Sequence, residues 1–300
     1  MNKGVGNINE FSTYHPGVIF AYFLLAMGVT MTTYSPGILL VSVACAWAYS
    51  IYLKGNVALK FNGAVTLAIT LFTAAFNTLF THDGQTVMLY INANRITVEA
   101  LAFGTYSGVM LSTIVIWFSC FNKIVSSEMI MYLFSKVSAI FGLMISMIFR
   151  YIPLLKLRYD EISLGQHCIG KEQINSLPGK IKQVVKKISI LISWSLESSI
   201  ETADSMAARG YGLSGRSSFH LYKWSVRDWA LLGLIVASFV GVCCAGTGGI
   251  TEIVFYPKMK VPGITLKGIL EAVAFLACGS MPMIIDIIGE YRWKKLESKI

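Results

Sequence analysis

Residues Val98 to Cys120 read VEALAFGTYSGVMLSTIVIWFSC, and this stretch decides the fold class of the chain. It carries a single charge, Glu99, close to its start. A helix needs roughly 20 mostly apolar residues to cross about 30 Å of hydrocarbon, whereas a barrel strand needs only about 10. An uninterrupted apolar run of this length therefore predicts a membrane-spanning α-helix and not a barrel strand.

Five further runs of the same character are spread along the chain, and each predicts another span. They are Val18 to Tyr34, Pro36 to Leu53, Phe61 to Phe80, Asp228 to Ala245 and Leu266 to Ile288. The expected fold is all-α, a polytopic membrane helix bundle of about six spans. We expect an N-terminal membrane bundle in 1–120, an interfacial or cytoplasmic region in 121–227 and a C-terminal membrane hairpin in 228–300.

The composition excludes the soluble classes. Apolar residues make up 55% of the chain and charged residues 14%, whereas soluble domains carry about 25% charged residues. The apolar content also excludes intrinsic disorder. The six cysteines show no spacing typical of a disulfide framework, which excludes a small secreted scaffold.

The basic residues predict the orientation of the bundle. If both termini are cytoplasmic, 21 of the 25 basic residues lie on the cytoplasmic side. The four others are Arg95, Lys258, Lys260 and Lys267. We therefore expect a multi-pass protein of a bacterial-type cell membrane, and the lipid bilayer explains the net charge of +9 without a nucleic-acid partner.

The stretch from Phe121 to Arg227 contains 14 of the 25 basic residues and does not have the composition of an ordinary loop. Ser127 to Phe149 is apolar but interrupted by Lys136, so it is either another span or a helix lying in the membrane interface. We favour the interfacial position, because a crossing would place the following basic residues outside. Pro153 is expected to end this helix, since proline disfavours helix in the preceding residue.

Two long helices are predicted next, from about Leu154 to Cys168 and from about Ile181 to Arg209, with Gly170 and Gly210 after their ends. The second helix has three distinct faces. They are an apolar stripe (Ile192, Leu196, Ile200, Ala203 and Ala207), a strip of small polar side chains that allows close helix approach (Ser198, Thr202 and Ser205), and an acidic face (Glu197, Glu201 and Asp204). Such a helix is suited to contact both lipid-embedded and soluble partners.

The end of this second helix carries a resemblance to a known family. Residues Ser195 to Gly212 read SLESSIETADSMAARGYG, which resembles the signature of the transmembrane T component of energy-coupling factor (ECF) transporters, the family of the cobalt-transport permease subunits. Four shorter stretches are similar to the family as well: Tyr14-His15-Pro16, Asn77 to Gly84, Arg150-Tyr151-Ile152-Pro153 and Gly215-Arg216-Ser217.

The resemblance implies a coupling protein and not an enzyme. Members of this family link two cytosolic ABC-type ATPase subunits, or one fused pair, to a separate membrane S subunit that binds the vitamin or metal ion. Two cytoplasmic coupling helices end in arginine motifs that enter grooves on the ATPases. On this chain the motif positions are Ala208, Arg209 and Gly210 on one helix and Gln166, Ile169, Gly170 and Lys171 on the other, with secondary coupling or structural roles for Arg150, Pro153, Glu197, Asp204 and Arg216.

Arg209 has the chemistry that this role requires. A cation in the last turn complements the negative end of the helix dipole, and the planar guanidinium group can bind a partner carboxylate through two hydrogen bonds. Gly210 permits a sharp turn after the helix. The alternative is that Arg209 only caps its helix or extends towards lipid headgroups.

The first coupling helix departs from the family pattern. Members commonly have arginine where this chain has Ile169, which can form no ion pair. Either Lys171 or His167 substitutes for it, or the contact is apolar. We therefore hypothesise that the two ATPase contacts are unequal.

Other chemistry is weakly indicated. The chain has no Gly-x-x-x-x-Gly-Lys-Ser/Thr loop for ATP, and its four histidines lack zinc-site spacing, so no catalytic residue, cofactor or metal site is expected. Glu99 and Asp286 lie near span ends, where we expect solvation or pairing at the surface to stabilise them, and Glu271 is expected to form a surface pair with Lys267. Four glycines are expected to permit close helix packing: Gly28, Gly104, Gly108 and Gly142.

The alternative function is a membrane-embedded enzyme that acts on a lipid-soluble substrate. Such an enzyme would need paired carboxylates or a His-Glu motif facing one cavity, and the sequence offers neither pattern.

Overall fold

The protein is all-α. The computed structural model describes residues 9–81, 83–91, 94–137, 139–170, 177–213, 222–246, 252–263 and 265–298. Its described helices are α1 Pro16–Thr32, α2 Pro36–Lys54, α3 Asn56–Phe80, α4 Val98–Ile124, α5 Ser127–Val137, α6 Ala139–Cys168, α7 Leu177–Ala208, α8 Val226–Gly246, α9 Leu266–Gly279 and α10 Met281–Glu297. A short 3-10 helix, Glu10–Thr13, precedes α1, and strands β1 Val87–Ile91 and β2 Asn94–Thr97 form an antiparallel pair.

The chain divides into two compact units. The first unit contains Met1–Ile130 and Tyr222–Ile300, and the second unit contains Met131–Leu221. The first unit therefore holds α1 to α4 and α8 to α10, while α6 and α7 make up most of the second unit.

The predicted spans fall in helices α1 to α4, in α8 and in the pair α9 and α10, but not all of these helices qualify as spans, and α8 is among those that do not. By length and apolar composition, four described helices are able to cross a membrane, namely α2, α3, α4 and α6 from Ile140 onwards. A fifth is added if α9 and α10, which meet at a 41° bend, form one span. The N-terminal helix α1 is apolar but shorter, at 17 residues. The sequence placed the start of α6 in the interface, whereas its length and composition also permit a crossing.

The core of the first unit is aromatic. Tyr22, Phe23 and Trp117 are fully buried, and their rings meet edge to face at centroid distances of 5.3 to 6.1 Å. Edge-to-face pairs contribute about 0.5–1.5 kcal/mol beyond burial alone. The indole N–H of Trp117 donates to the Ser42 hydroxyl over 3.1 Å, so its one polar atom is satisfied.

Two glycines let α3 and α4 approach closely, as predicted. A Cβ added at Gly104 would lie 2.8 Å from the Cα of Ala74, and one at Gly108 would lie 2.7 Å from the Cα of Thr70. Gly142 is similarly close to Ser135 in the second unit. The prediction for Gly28 is wrong, since nothing lies within 4 Å of the position of an added Cβ there.

The start of α1, the end of α4 and the start of α8 lie at one end of the first unit. The His15 ring stacks on Trp224 at 3.9 Å, and the His15 backbone N–H donates to the Asp228 carboxylate over 3.3 Å. At the end of α4, the Phe121 ring lies 5.8 Å from Phe20. The chain therefore leaves the first unit and returns to it at the same end.

We call this the basic end, because it carries Lys54, Lys123 and Arg227. The Lys54 ammonium group donates to the Ser119 hydroxyl near the end of α4, and the Arg227 guanidinium group lies 4.1 Å from the centre of the Tyr14 ring. The opposite end holds the β1–β2 pair and a loop in which the Ile253 N–H donates to the Tyr34 carbonyl over 3.0 Å. The separation of the two ends follows the charge pattern of the sequence.

The acidic residues of the spans differ from expectation. Asp286 is buried and accepts hydrogen bonds from the Phe11 N–H over 2.8 Å and the Tyr49 hydroxyl over 3.0 Å. Glu99 is buried and accepts from the Thr86 N–H over 3.2 Å. Glu271 is fully buried, so the prediction of a surface position is wrong. Neither Asp286 nor Glu99 depends on bulk solvation, because backbone donors stabilise both carboxylates.

Two helix boundaries in the second unit also differ from the prediction. Helix α6 continues through Pro153 to Cys168 instead of ending at Ile152. The proline removes one helix hydrogen bond, and contacts of Tyr151 and Arg158 with α7 hold the helix on both sides of it. Helix α7 starts at Leu177, with Pro178 in its first turn, where a missing N–H has no cost.

Candidate functional site

The candidate site lies on the antiparallel pair α6 and α7. The hydroxyl of Tyr151 lies 3.2 Å from that of Thr202, and the guanidinium group of Arg158 lies 5.0 Å from the centre of the Trp194 ring. Between these two contacts the chain advances seven residues along α6 and goes back eight residues along α7, so the two helices run antiparallel. This pairing also orients Arg158, whose Nη1 donates to Glu161 over 2.6 Å.

The facing surfaces of the two helices are small and partly polar. Near the end of α7, the groove between the helices is lined by Leu143, Met147, Tyr151 and Leu154 from α6 and by Ser198, Thr202, Ser205 and Met206 from α7. The strip of small polar side chains therefore faces the groove beside α6, and Thr202 of this strip contacts Tyr151. Small side chains here permit the close approach in which Tyr151 reaches Thr202.

Helix α7 ends in a hydrogen-bonded glycine turn. Gly210 has φ +76°, its N–H donates to the Ala207 carbonyl over 3.0 Å, and the Tyr211 N–H donates to the Met206 carbonyl over 3.0 Å. This is the Schellman arrangement, in which glycine takes the left-handed position because it lacks a Cβ. Arg209 is the residue immediately before that glycine, and its side chain is exposed.

Helix α6 ends in a similar way. Gly170 has φ +71°, and its N–H donates to the His167 carbonyl over 2.9 Å. Ile169 therefore occupies the same position before its glycine as Arg209 does on α7, and it is 65% exposed. The two helix ends share a glycine with positive φ and the hydrogen bond that it donates, and they differ in the side chain that precedes this glycine.

An open polar groove of about 910 Å³ runs beside the end of α7. Arg150 from α6 and Arg209 from α7 both line it, together with Glu201, Ser205 and the backbone of 210–213. Two guanidinium groups and one carboxylate leave the groove with a formal positive charge. Such a groove can bind an acidic side chain of another protein through charge-assisted hydrogen bonds.

The two predicted motifs are not brought together. Antiparallel packing places Gln166, Ile169 and Gly170 at one end of the helix pair and Ala208 to Gly210 at the other, roughly 35 Å apart at 1.5 Å per residue. Gln166 is half-buried, whereas Ala208 is exposed. Lys171 and Arg216, which the sequence also singled out, lie outside the described residues.

The remaining predicted residues lie outside the polar groove. Pro153, Glu197 and Asp204 are exposed, and none of them lines it. Sequence reasoning did not single out Tyr151, Arg158 or Trp194, which make the contacts between the helices. The sequence did contain a signal for Tyr151 and Arg158, because both belong to a set that recurs at three- and four-residue steps along α6: Leu143, Met147, Tyr151, Leu154 and Arg158.

Neither a metal site nor a match to a known family gives further support to this candidate site. Within the described ranges, no group of three or more His, Cys, Asp or Glu side chains is placed to hold a metal ion. No family model matches the chain, and no curated protein is significantly similar to it. The resemblance to the ECF T component therefore rests on the quoted residues alone.

Proposed function

We propose that this chain is the transmembrane coupling subunit of an ECF-type ABC importer. In this role it transmits the ATP-driven movement of cytosolic ATPases to a separate substrate-binding membrane subunit for a vitamin or metal ion. The observation that carries the proposal is the pair of glycine-terminated helix ends, roughly 35 Å apart along one antiparallel pair. That separation suits two partner proteins, each taking one end.

The path of the chain supports a cytoplasmic position for α6 and α7. The chain leaves and re-enters the first unit at its basic end, and basic residues favour the cytoplasmic side. Helix α7, described over its whole length, does not qualify as a span. A single crossing by α6 would leave the chain on the wrong side for its return, which favours a cytoplasmic position for α6, the side on which we also expect both termini and the ATPases.

The side chains at the two ends support unequal contacts. Arg209, with Arg150 beside it, offers charge to an acidic groove on one ATPase. The other end offers the exposed side chain of Ile169. The chain itself supplies binding surfaces and mechanical coupling, and ATP hydrolysis belongs to the partners.

Co-purification tests the proposal. The tagged chain is expressed with the ABC-type ATPase subunits and the S subunit of its host and is extracted in mild detergent. We expect the ATPases to co-purify with the wild-type chain and to be lost, at least about tenfold, from Arg209→Ala, since removing one partner of a buried charge pair costs about 2–5 kcal/mol. Arg292→Ala, which changes an exposed arginine at the end of α10, is the matched control.

Two results would contradict the proposal. One is intact wild-type chain that retains no ATPase under conditions in which the S subunit remains bound. The other is an Arg209→Ala chain that retains as much ATPase as the Arg292→Ala control. A membrane-embedded enzyme would retain neither the ATPases nor the S subunit.

A further inference from the structure

Helix α7 has an apolar stripe that α6 does not cover. Its members are each 43–65% exposed and recur at steps of three and four residues, so they share one face over about 28 Å: Ile181, Val185, Ile188, Ile192, Leu196 and Ile200. On this helix, the residues that face α6 lie about a third of a turn away, at Ser198 and Thr202. The stripe is therefore a separate surface.

Helix α6 adds a second stripe on the same side. Phe141, Met144, Ile148 and Ile152 are 47–57% exposed and also recur at steps of three and four residues. At about 100° per residue, each stripe is turned roughly 120° from the residues that face the other helix. Because the helices are antiparallel, the two rotations bring both stripes to one side of the pair. We call this surface the apolar face.

The polar groups lie on the opposite side. A shallow groove of about 350 Å³ runs along the apolar face between Met147, Ser199, Ala203 and Ala207. The groove with Arg150, Glu201 and Arg209 opens on the other side of the same pair. Near the end of α7, the pair therefore has an apolar surface on one side and a groove with charged side chains on the other, a distribution typical of elements that lie in a membrane interface.

Lysines lie at the edge of the apolar face. Lys156 lies one turn after Ile152, and Lys182 lies one turn before Val185, and both are exposed. The acidic residues of α7, at Glu197, Glu201 and Asp204, recur at their own spacing on a different face. An apolar surface bordered by lysines complements the negatively charged headgroups and the acyl chains below them.

We infer that the apolar face of α6 and α7 lies on the surface of an anionic lipid bilayer. Its side chains reach about 5–10 Å into the boundary between headgroups and acyl chains. The chain leaves and re-enters the first unit at a single end, so both connections start from the same membrane surface. This inference goes beyond the proposed function and does not depend on it, because it requires neither the ATPases nor the S subunit.

Spin-label accessibility in the full chain tests the inference. Labels are placed one at a time in a cysteine-free chain, at Ile192→Cys and Leu196→Cys on the apolar face and at the matched acidic-face controls Glu197→Cys and Glu201→Cys. The chain alone is reconstituted in phosphatidylcholine vesicles with and without phosphatidylglycerol. We expect oxygen collisions to exceed those of a water-soluble nickel chelate at 192 and 196, and the reverse at 197 and 201.

A charge change gives a second readout. Lys156→Glu with Lys182→Glu should move the labels at 192 and 196 towards water, and the shift should be larger in phosphatidylglycerol vesicles than in phosphatidylcholine alone. Labels at 192 and 196 that are accessible to the nickel chelate would overturn the inference. Labels that are immobile and shielded from both reagents would overturn it too, since they would indicate a second copy of the chain on this face. Failure of the coupling proposal would leave these measurements unchanged.

Discussion

The hydroxyl groups of Tyr151 and Thr202 lie 3.2 Å apart, so one hydrogen bond joins the two long helices next to the polar groove. Tyr151 follows Arg150 directly, and Thr202 lies two turns before Arg209. The bond therefore fixes the relative position of the two arginines that line the groove. Any partner that binds both arginines depends on this contact.

Removing that hydrogen bond should loosen the end of α7. We expect Tyr151→Phe to destabilise the pairing of the helices by about 0.5–1.5 kcal/mol, because the ring and its packing remain while the bond is lost. Hydrogen exchange of the α7 amides between 198 and 208 is the measurement, and exchange should become faster there.

Tyr159→Phe is the matched control for this change. Tyr159 lies on the same helix and is also half-buried, and its hydroxyl has no partner among the described residues. Equal acceleration of exchange in the two variants would contradict the assignment of a stabilising role to the bond.

The contrast between Gly104 and Gly28 predicts opposite effects of one substitution. Gly104→Ala places a Cβ 2.8 Å from the Cα of Ala74, so α3 and α4 must separate, at a cost of about 1–3 kcal/mol. Gly28→Ala meets nothing within 4 Å and should be neutral or stabilising by up to about 1 kcal/mol. The measurement is the midpoint temperature at which the detergent-solubilised chain loses its monodisperse peak. A lower midpoint for both variants, by similar amounts, would contradict the close packing at Gly104.

These comparisons also indicate which features a sequence can predict here. The long apolar helices were predictable because a run as long and apolar as Val98 to Cys120 is solvated well by lipid and poorly by water. The glycine turns at Gly170 and Gly210 were predictable because they follow long periodic segments. Pro153 was misjudged, because the contacts that carry α6 through it come from α7, which local sequence does not reveal.

The buried acids show the same limit. A carboxylate near a span end is expected to be solvated, and only the three-dimensional fold shows that the start of the chain folds back to place the Phe11 N–H on Asp286. The packed face of α6 was present in the sequence as a periodic stripe. It was missed because Tyr151 and Arg158 are polar, so their spacing is not read as a packing signal.

Asp286 should be important for stability. Asp286→Ala leaves the buried Phe11 N–H and Tyr49 hydroxyl without their acceptor, so we expect a loss of about 2–5 kcal/mol. Asp286→Asn keeps one carbonyl acceptor and should lose less. The same midpoint temperature reports both effects.

Glu290→Ala is the control on the same helix. Glu290 accepts from the Tyr52 hydroxyl over 3.2 Å and pairs with Lys294 over 3.2 Å at a partly exposed site, so its loss should cost less than about 1 kcal/mol. A larger loss for Glu290→Ala than for Asp286→Ala would contradict the role given to Asp286.

The last prediction concerns the two glycine-terminated helix ends and rests on the proposed function. Arg209 and Ile169 have the same backbone position, so the difference between the two ATPase contacts comes from their side chains. Arg209→Ala should reduce the ATPase-driven uptake of the assembled complex strongly, whereas Ile169→Ala should reduce it less, because it removes apolar contact but no ion pair. Ile169→Arg tests the partner: it should impair uptake if the second ATPase offers an apolar surface, since a guanidinium group would be buried there without a counter-charge. Equal impairment by Arg209→Ala and Ile169→Ala would refute the asymmetry while leaving the coupling role intact.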